Sequence, residues 1–97
     1  MAKYVTLANW TDRGVKDASQ TVDRAASFKE LVGKMGGSVD TLLWTMGRYD
    51  IVAVIDAPSD EVASAIVLKV SGLGNIRGET LRAFTADDVA GIVGKLG

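Results

Sequence analysis

Apolar and polar positions alternate at the start of the chain. From Lys3 to Asn9, Val5 and Leu7 fall on one face of an extended segment, and Tyr4, Thr6 and Ala8 on the other. A second pattern follows Ala18. Val22, Ala25, Phe28, Val32 and Met35 recur at spacings of three and four, which predicts a helix over 18–35. Gly36-Gly37 then supplies the positive φ that ends it. Between the two, Trp10 to Asp17 reads as a polar connection that carries an aromatic at its start.

The centre of the chain breaks the alternation. Ser38 to Met46 reads as a second strand in which Leu42, Leu43 and Trp44 are consecutive. Gly47-Arg48-Tyr49 reads as a hairpin turn, and Asp50 to Ala57 as a third strand. Ile51 through Ile55 are all apolar and mostly β-branched, so both faces of that strand call for cover. A turn of two residues and one of three place Trp44 differently relative to Ile51, and the sequence leaves both registers open.

Pro58-Ser59-Asp60-Glu61 has a proline near the first turn and two acids facing the dipole of a second helix. Val62, Ile66, Val70 and Leu73 form its stripe, and Ala63, Ala65, Val67 and Leu68 widen it, which predicts an unusually buried helix. Asn75 to Phe84 contains a fourth strand. Thr85 to Asp88 resembles a capping box opening a short third helix through Val89, Ile92, Val93 and Leu96.

The order is strand, helix, strand, strand, helix, strand, short helix. It predicts an α+β, ferredoxin-like βαββαβ domain over residues 1–97, with a four-stranded antiparallel sheet, first and third strands central, plus the C-terminal helix. Both main helices then lie on one face. The other face is left bare with Val, Leu and Trp side chains, a patch that a second copy of the chain would cover. The expected assembly is a homodimer or a larger homo-oligomer.

Composition narrows the chemistry. The 97 residues include no cysteine and no histidine, which removes disulfides, thiolate or imidazole metal sites and imidazole triads. No metal and no cofactor is expected. The net charge of −1 gives no electrostatic reason for nucleic acid or an anionic membrane as partner. The third strand also lacks the aromatics on which RNA-binding sheets of this type stack bases. With no signal-like N-terminus and no long apolar run, a cytoplasmic location is expected.

Gly72-Leu73-Gly74-Asn75-Ile76-Arg77-Gly78 is glycine-rich but leaves a helix for a strand, the reverse of a dinucleotide fingerprint, and reads as a helix end. Asp50 and Asp56 bracket one strand at roughly 20 Å, too far apart to act on one bond. Asp50 is the better functional candidate because Arg48 and Tyr49 adjoin it. Trp10 and Trp44 are candidate walls of a pocket, with Tyr49, Asp50 and Arg77 as polar contacts and Arg82 near them. Core packing, solvated strand ends and edge charges account for the same residues without a ligand.

Trp44-Thr45-Met46-Gly47-Arg48-Tyr49-Asp50 resembles the motif of the GYD family. Trp10-Thr11-Asp12, Ala57-Pro58-Ser59-Asp60-Glu61 and Gly74 to Phe84 resemble further segments of it, although the family more often has threonine where Gly78 stands. The resemblance implies a ferredoxin-like subunit pairing face to face as a dimeric α/β barrel, and it implies no reaction. Three readings follow. The first is a homo-oligomer that binds a small apolar or aromatic molecule, between helices and sheet or at the subunit interface. The second is a cofactor-independent, oxygenase-like enzyme on an aromatic substrate, with Tyr49 or Asp50 moving the proton. The third is a structural or regulatory interaction module.

Overall fold

A computed structural model describes residues 1–97. The elements run β1 (Ala2–Trp10), α1 (Asp12–Lys16), a single 3-10 turn (Ala18–Gln20), α2 (Thr21–Lys34), β2 (Ser38–Trp44), β3 (Ile51–Ala57), α3 (Asp60–Gly72), β4 (Ile76–Ala83) and α4 (Ala86–Gly94). The four strands form one antiparallel sheet in the order β2-β3-β1-β4. This is the expected ferredoxin-like topology, with the first and third strands central.

Register assigns the two faces. Tyr4 pairs with Ile55, Thr6 with Ala53 and Ala8 with Ile51. Thr6 also pairs with Thr80, and Ala8 with Gly78. These residues face the helices, and alternation sends Val5, Leu7, Val52 and Val54 to the opposite face. The core lies on the helix side. Tyr4, Val32, Ile55, Ala57, Ala63 and Ile66 form one buried cluster, with Val32 and Ile66 fully excluded from solvent. The Tyr4 hydroxyl ties β1 to the start of α3 by donating to Asp60 Oδ1 at 2.5 Å. That bond first, and burial second, push the Tyr4 phenol above its ordinary pKa.

Several elements depart from the sequence reading. The Trp10–Asp17 connection contains the helix α1, because Thr11 Oγ1 accepts from Gly14 N–H at 3.1 Å and caps it. A Cβ at Gly14 would stand 1.9 Å from the Asn75 carbonyl oxygen, so only glycine lets α1 pack there. The helix expected over 18–35 opens with the 3-10 turn and becomes α-helical at Thr21. The hairpin is also wider than three residues. Thr45 N–H donates to Asp50 O at 2.8 Å, and Thr45 Oγ1 donates to Tyr49 O at 2.5 Å. The Thr45 side chain thus takes a backbone carbonyl that would otherwise be open to further pairing, and β2 stops at Trp44.

The hairpin register is now defined. Trp44 pairs with Ile51 and Leu42 with Ala53, on the helix side, while Leu43 pairs with Val52 on the bare side. A register shift between Val39 and Thr41 sets this phase. The bare face therefore carries Val and Leu but not Trp, contrary to expectation. α3 is also less buried than its sequence suggests. Only Ala63 and Ile66 are inside, and Leu68 is 73% exposed.

α4 begins at the expected capping box. Thr85 Oγ1 accepts from Asp88 N–H at 3.1 Å, and Asp88 Oδ2 accepts from Thr85 N–H at 2.9 Å. It packs on nothing in its own chain: every residue from Phe84 to Gly97 is exposed. The chain is accordingly extended, 52 × 31 × 18 Å with a radius of gyration of 14.6 Å. A compact chain of this length would have about 12.5 Å.

Candidate functional site

The helix side of the sheet is not filled throughout. Beyond the core cluster, toward the Trp10 and Trp44 end, lies a cavity of about 450 Å³. Its walls come from all four strands and from α2 and α3. The space exists because the inward positions there are small. Thr6 and Ala8 on β1, Ala53 on β3, Thr80 and Gly78 on β4 and Ala25 on α2 stand where a packed core would carry branched side chains. Gly78 has a further reason to be glycine. A Cβ there would sit 2.2 Å from the Leu7 carbonyl oxygen, so the close approach of β4 to β1 excludes a side chain.

The two tryptophans anticipated as walls both line this cavity. They differ in how their indole N–H groups are used. Trp44 Nε1 donates to Thr21 Oγ1 at 2.9 Å. Trp10 Nε1 is buried and has no acceptor. Thr6 Oγ1 and Thr80 Oγ1 share a hydrogen bond of 2.9 Å across the β1–β4 pair. The charged side chains of the lining are Asp23, Arg24 and Lys69, none of them buried. The Arg24 guanidinium is occupied with backbone, donating to Gly14 O at 3.1 Å and Asp17 O at 3.2 Å.

Tyr49, Asp50 and Arg77 do not join the tryptophans in that lining. Asp50 serves the hairpin. Its Oδ2 accepts from Trp10 N–H at 3.0 Å, and its own N–H donates to Ala8 O at 3.0 Å, which fastens the β2–β3 connection to the end of β1. Tyr49 reaches the other side of the sheet, where its hydroxyl donates to Glu79 Oε1 at 3.0 Å. Glu79 pairs with Leu7 and Arg77 with Asn9, so both belong to the bare face. The sheet separates Tyr49, Glu79 and Arg77 from the cavity. Arg82 lies near Tyr4 instead, with its guanidinium carbon 5.6 Å from the ring centre. The sequence reading missed Thr6, Thr80, Thr21 and the three alanines. Their signal was available as small residues at inward positions, but small residues attract no attention until the register is known.

On the bare face, Val5, Leu7, Val52 and Val54 are only partly buried, and Leu43 and Leu81 are exposed. At one corner Lys3 meets Asp56 at 3.1 Å and Asp40 at 3.2 Å, and these partners, Asp56 foremost, raise the Lys3 pKa. No helix of the chain is long and apolar enough to cross a membrane.

The family model described as GYD domain matches residues 4–93. Among solved structures, the crystal structure of TTHA0845 from Thermus thermophilus is similar, with a TM-score of 0.57 and 23% identity. The alignment covers 89% of this chain and 96% of that one, and the likeness is one of fold. No curated protein matches the chain.

Proposed function

The chain belongs to the GYD family, and on that footing we propose that it is the subunit of a homo-oligomer that binds a small apolar or aromatic molecule between its helices and its sheet. The observation that carries the reading is the cavity. A volume of about 450 Å³ falls in the range of small-molecule sites, and it is walled by side chains from every layer. Close packing is the rule in protein interiors, and a space this large next to a well-packed cluster supports the binding reading.

The assembly half of the proposal rests on the bare face. Val5, Leu7, Val52, Val54, Leu43 and Leu81 make a continuous apolar surface on the two central strands and both edges. Leaving such a surface in water is unfavourable by roughly 25 cal/mol per Å². A second copy presents the same surface, and two sheets stacked about 10 Å apart would bury both. The stripe of Val89, Ile92, Val93 and Leu96 on α4 is a further apolar surface that its own chain leaves open.

Light scattering and native mass spectrometry test the two halves separately. The parent chain is expected at a multiple of its 10.2 kDa, and Val54→Lys is expected to shift it toward a single subunit. A parent that runs as a monomer overturns the assembly. Retention of a small molecule in the native spectrum, lost when Ala25→Leu fills the cavity, supports the binding reading. Addition of hydrophobic probes with no adduct and no change in tryptophan fluorescence counts against it.

A further inference from the structure

We propose that the ligand of this cavity is an uncharged, largely apolar molecule carrying a hydrogen-bond acceptor, such as a ketone or quinone oxygen, and that Trp10 Nε1 is the donor that recognises it. The proposal rests on the binding reading above and adds the chemical class.

Three observations lead there. First, the two indoles of one cavity are unequal. Trp44 has already given its hydrogen to Thr21, whereas Trp10 Nε1 is the one buried side-chain nitrogen or oxygen in the chain without a partner. Buried donors are almost always satisfied, so an orphan on a side chain that lines a cavity, covered at rest but without a partner of its own, points to an acceptor supplied from outside the chain. Second, the floor offers a second, weaker handle. Two hydroxyls supply two hydrogens, and the Thr6–Thr80 bond uses one, which leaves a hydrogen and free lone pairs on two residues that line the same cavity. Third, no charged side chain is buried anywhere in the chain. The charges of the lining, Asp23, Arg24 and Lys69, are not buried, and Arg24 is already given to backbone carbonyls, so a carboxylate or ammonium placed against the buried wall of Ala8 and Ala53 would lose its hydration with no buried counter-charge to replace it. A neutral acceptor loses little and completes the indole's hydrogen bond. Because Nε1 is shut off from water, the indole or a neighbouring side chain must turn as the acceptor arrives.

Three probes of one shape separate the terms: a naphthyl methyl ketone, the corresponding ethylnaphthalene, which lacks the acceptor, and the naphthoate anion. Affinities come from tryptophan fluorescence, and the two indole N–H signals are followed in proton–nitrogen correlation spectra assigned with Trp44→Phe. The ketone is expected to bind roughly tenfold tighter than ethylnaphthalene, the worth of one satisfied buried donor. It should move the Trp10 indole signal further downfield than ethylnaphthalene does. Naphthoate should bind more weakly than both. In Trp10→Phe the ketone's advantage should vanish while ethylnaphthalene still binds. Should that variant not fold, the Trp10 signal in the parent chain decides the matter alone. Equal affinities with equal indole shifts overturn the proposal and leave the cavity reading intact, as does naphthoate binding tightest. Failure of all three probes to bind overturns the cavity reading itself.

Discussion

One layer of this molecule has two ends built on opposite plans. Near Tyr4, Val32, Ala57 and Ala63, the space between helices and sheet is filled, with Ile55 and Ile66 at the boundary. Near Trp10 and Trp44, the same helices and strands enclose a cavity. The strands are continuous through both ends, so backbone geometry does not make the difference. Side-chain size does. β1 presents Tyr4 at the packed end, then Thr6 and Ala8; β3 presents Ile55 at the packed end, then Ala53. On these two strands the large residues return only at the far edge, as Trp10 and Ile51, where with Trp44 of β2 they wall the space. A site can therefore be made inside a single apolar layer by grading residue volume along it.

The sharpest way to break this comparison is to truncate at both ends. Ile66 is fully buried, and Ile66→Ala is expected to lower unfolding free energy by about 3 kcal/mol. Leu73 borders the open end and is 60% exposed, so Leu73→Ala is expected to change stability by less than about 1 kcal/mol. Urea titrations with unchanged slopes would read both. Equal losses would mean that the two ends are packed alike.

Enlargement sharpens the comparison from the other side. In a filled core an added isopropyl group forces strain and costs about 1–3 kcal/mol. Ala25 on α2 borders the cavity, so Ala25→Leu has room to place its side chain. Its stability is expected within about 1 kcal/mol of the parent. Affinity for the naphthyl ketone should fall at least tenfold, because the new side chain takes the ligand's volume. A large loss of stability with binding intact would show that position 25 does not open on the cavity.

How much of this was legible in the sequence depends on which periodicity carried it. The ferredoxin-like order could be read because β1 alternates, α2 repeats every three to four residues, and Ile51 to Ile55 is apolar on both faces. Trp10 and Trp44 could be anticipated as walls because large amphipathic aromatics at strand ends are conspicuous. Tyr49, Asp50 and Arg77 fall outside the cavity for a physical reason. Closeness in sequence to Trp44 does not place Tyr49 and Asp50 beside it, because a wide turn held by Thr45 and a bulge at Asp40 intervene, and the side taken by Arg77 depends on the β1–β4 register. The same gap explains the bare face, which was assigned a tryptophan it does not have. α1 was missed because a helix of Asp12–Lys16 is too short to show a period, and only the Thr11 cap marks it. α3 looked more buried than it is because its apolar residues outnumber the surfaces its own chain offers them.

α4 extends the contrast to a helix with no layer at all, and here the expected effect is smallest. With no neighbour to pack on, its first turn depends on the reciprocal bonds between Thr85 and Asp88. The Thr85 backbone N–H, and next its hydroxyl, hold the Asp88 carboxyl below the usual carboxylate range, with Arg82 adding a more distant attraction. A carboxyl with a lowered folded-state pKa stabilises the folded form above its unfolded value, near 4. That contribution is lost as pH falls through the lowered value. Helicity over Ala86–Gly94 should therefore hold at neutral pH and decline below about pH 4. Asp88→Asn should remove this acid step, and Thr85→Ala should weaken the helix at all pH values by about 1 kcal/mol. Amide signals of Val89 to Val93 report the local change while those of β1 and β3 stay fixed. If α4 instead keeps its helicity in acid and in Thr85→Ala, something other than its cap holds it, and the apolar stripe of Val89, Ile92 and Val93 against a second copy is then the contact to test.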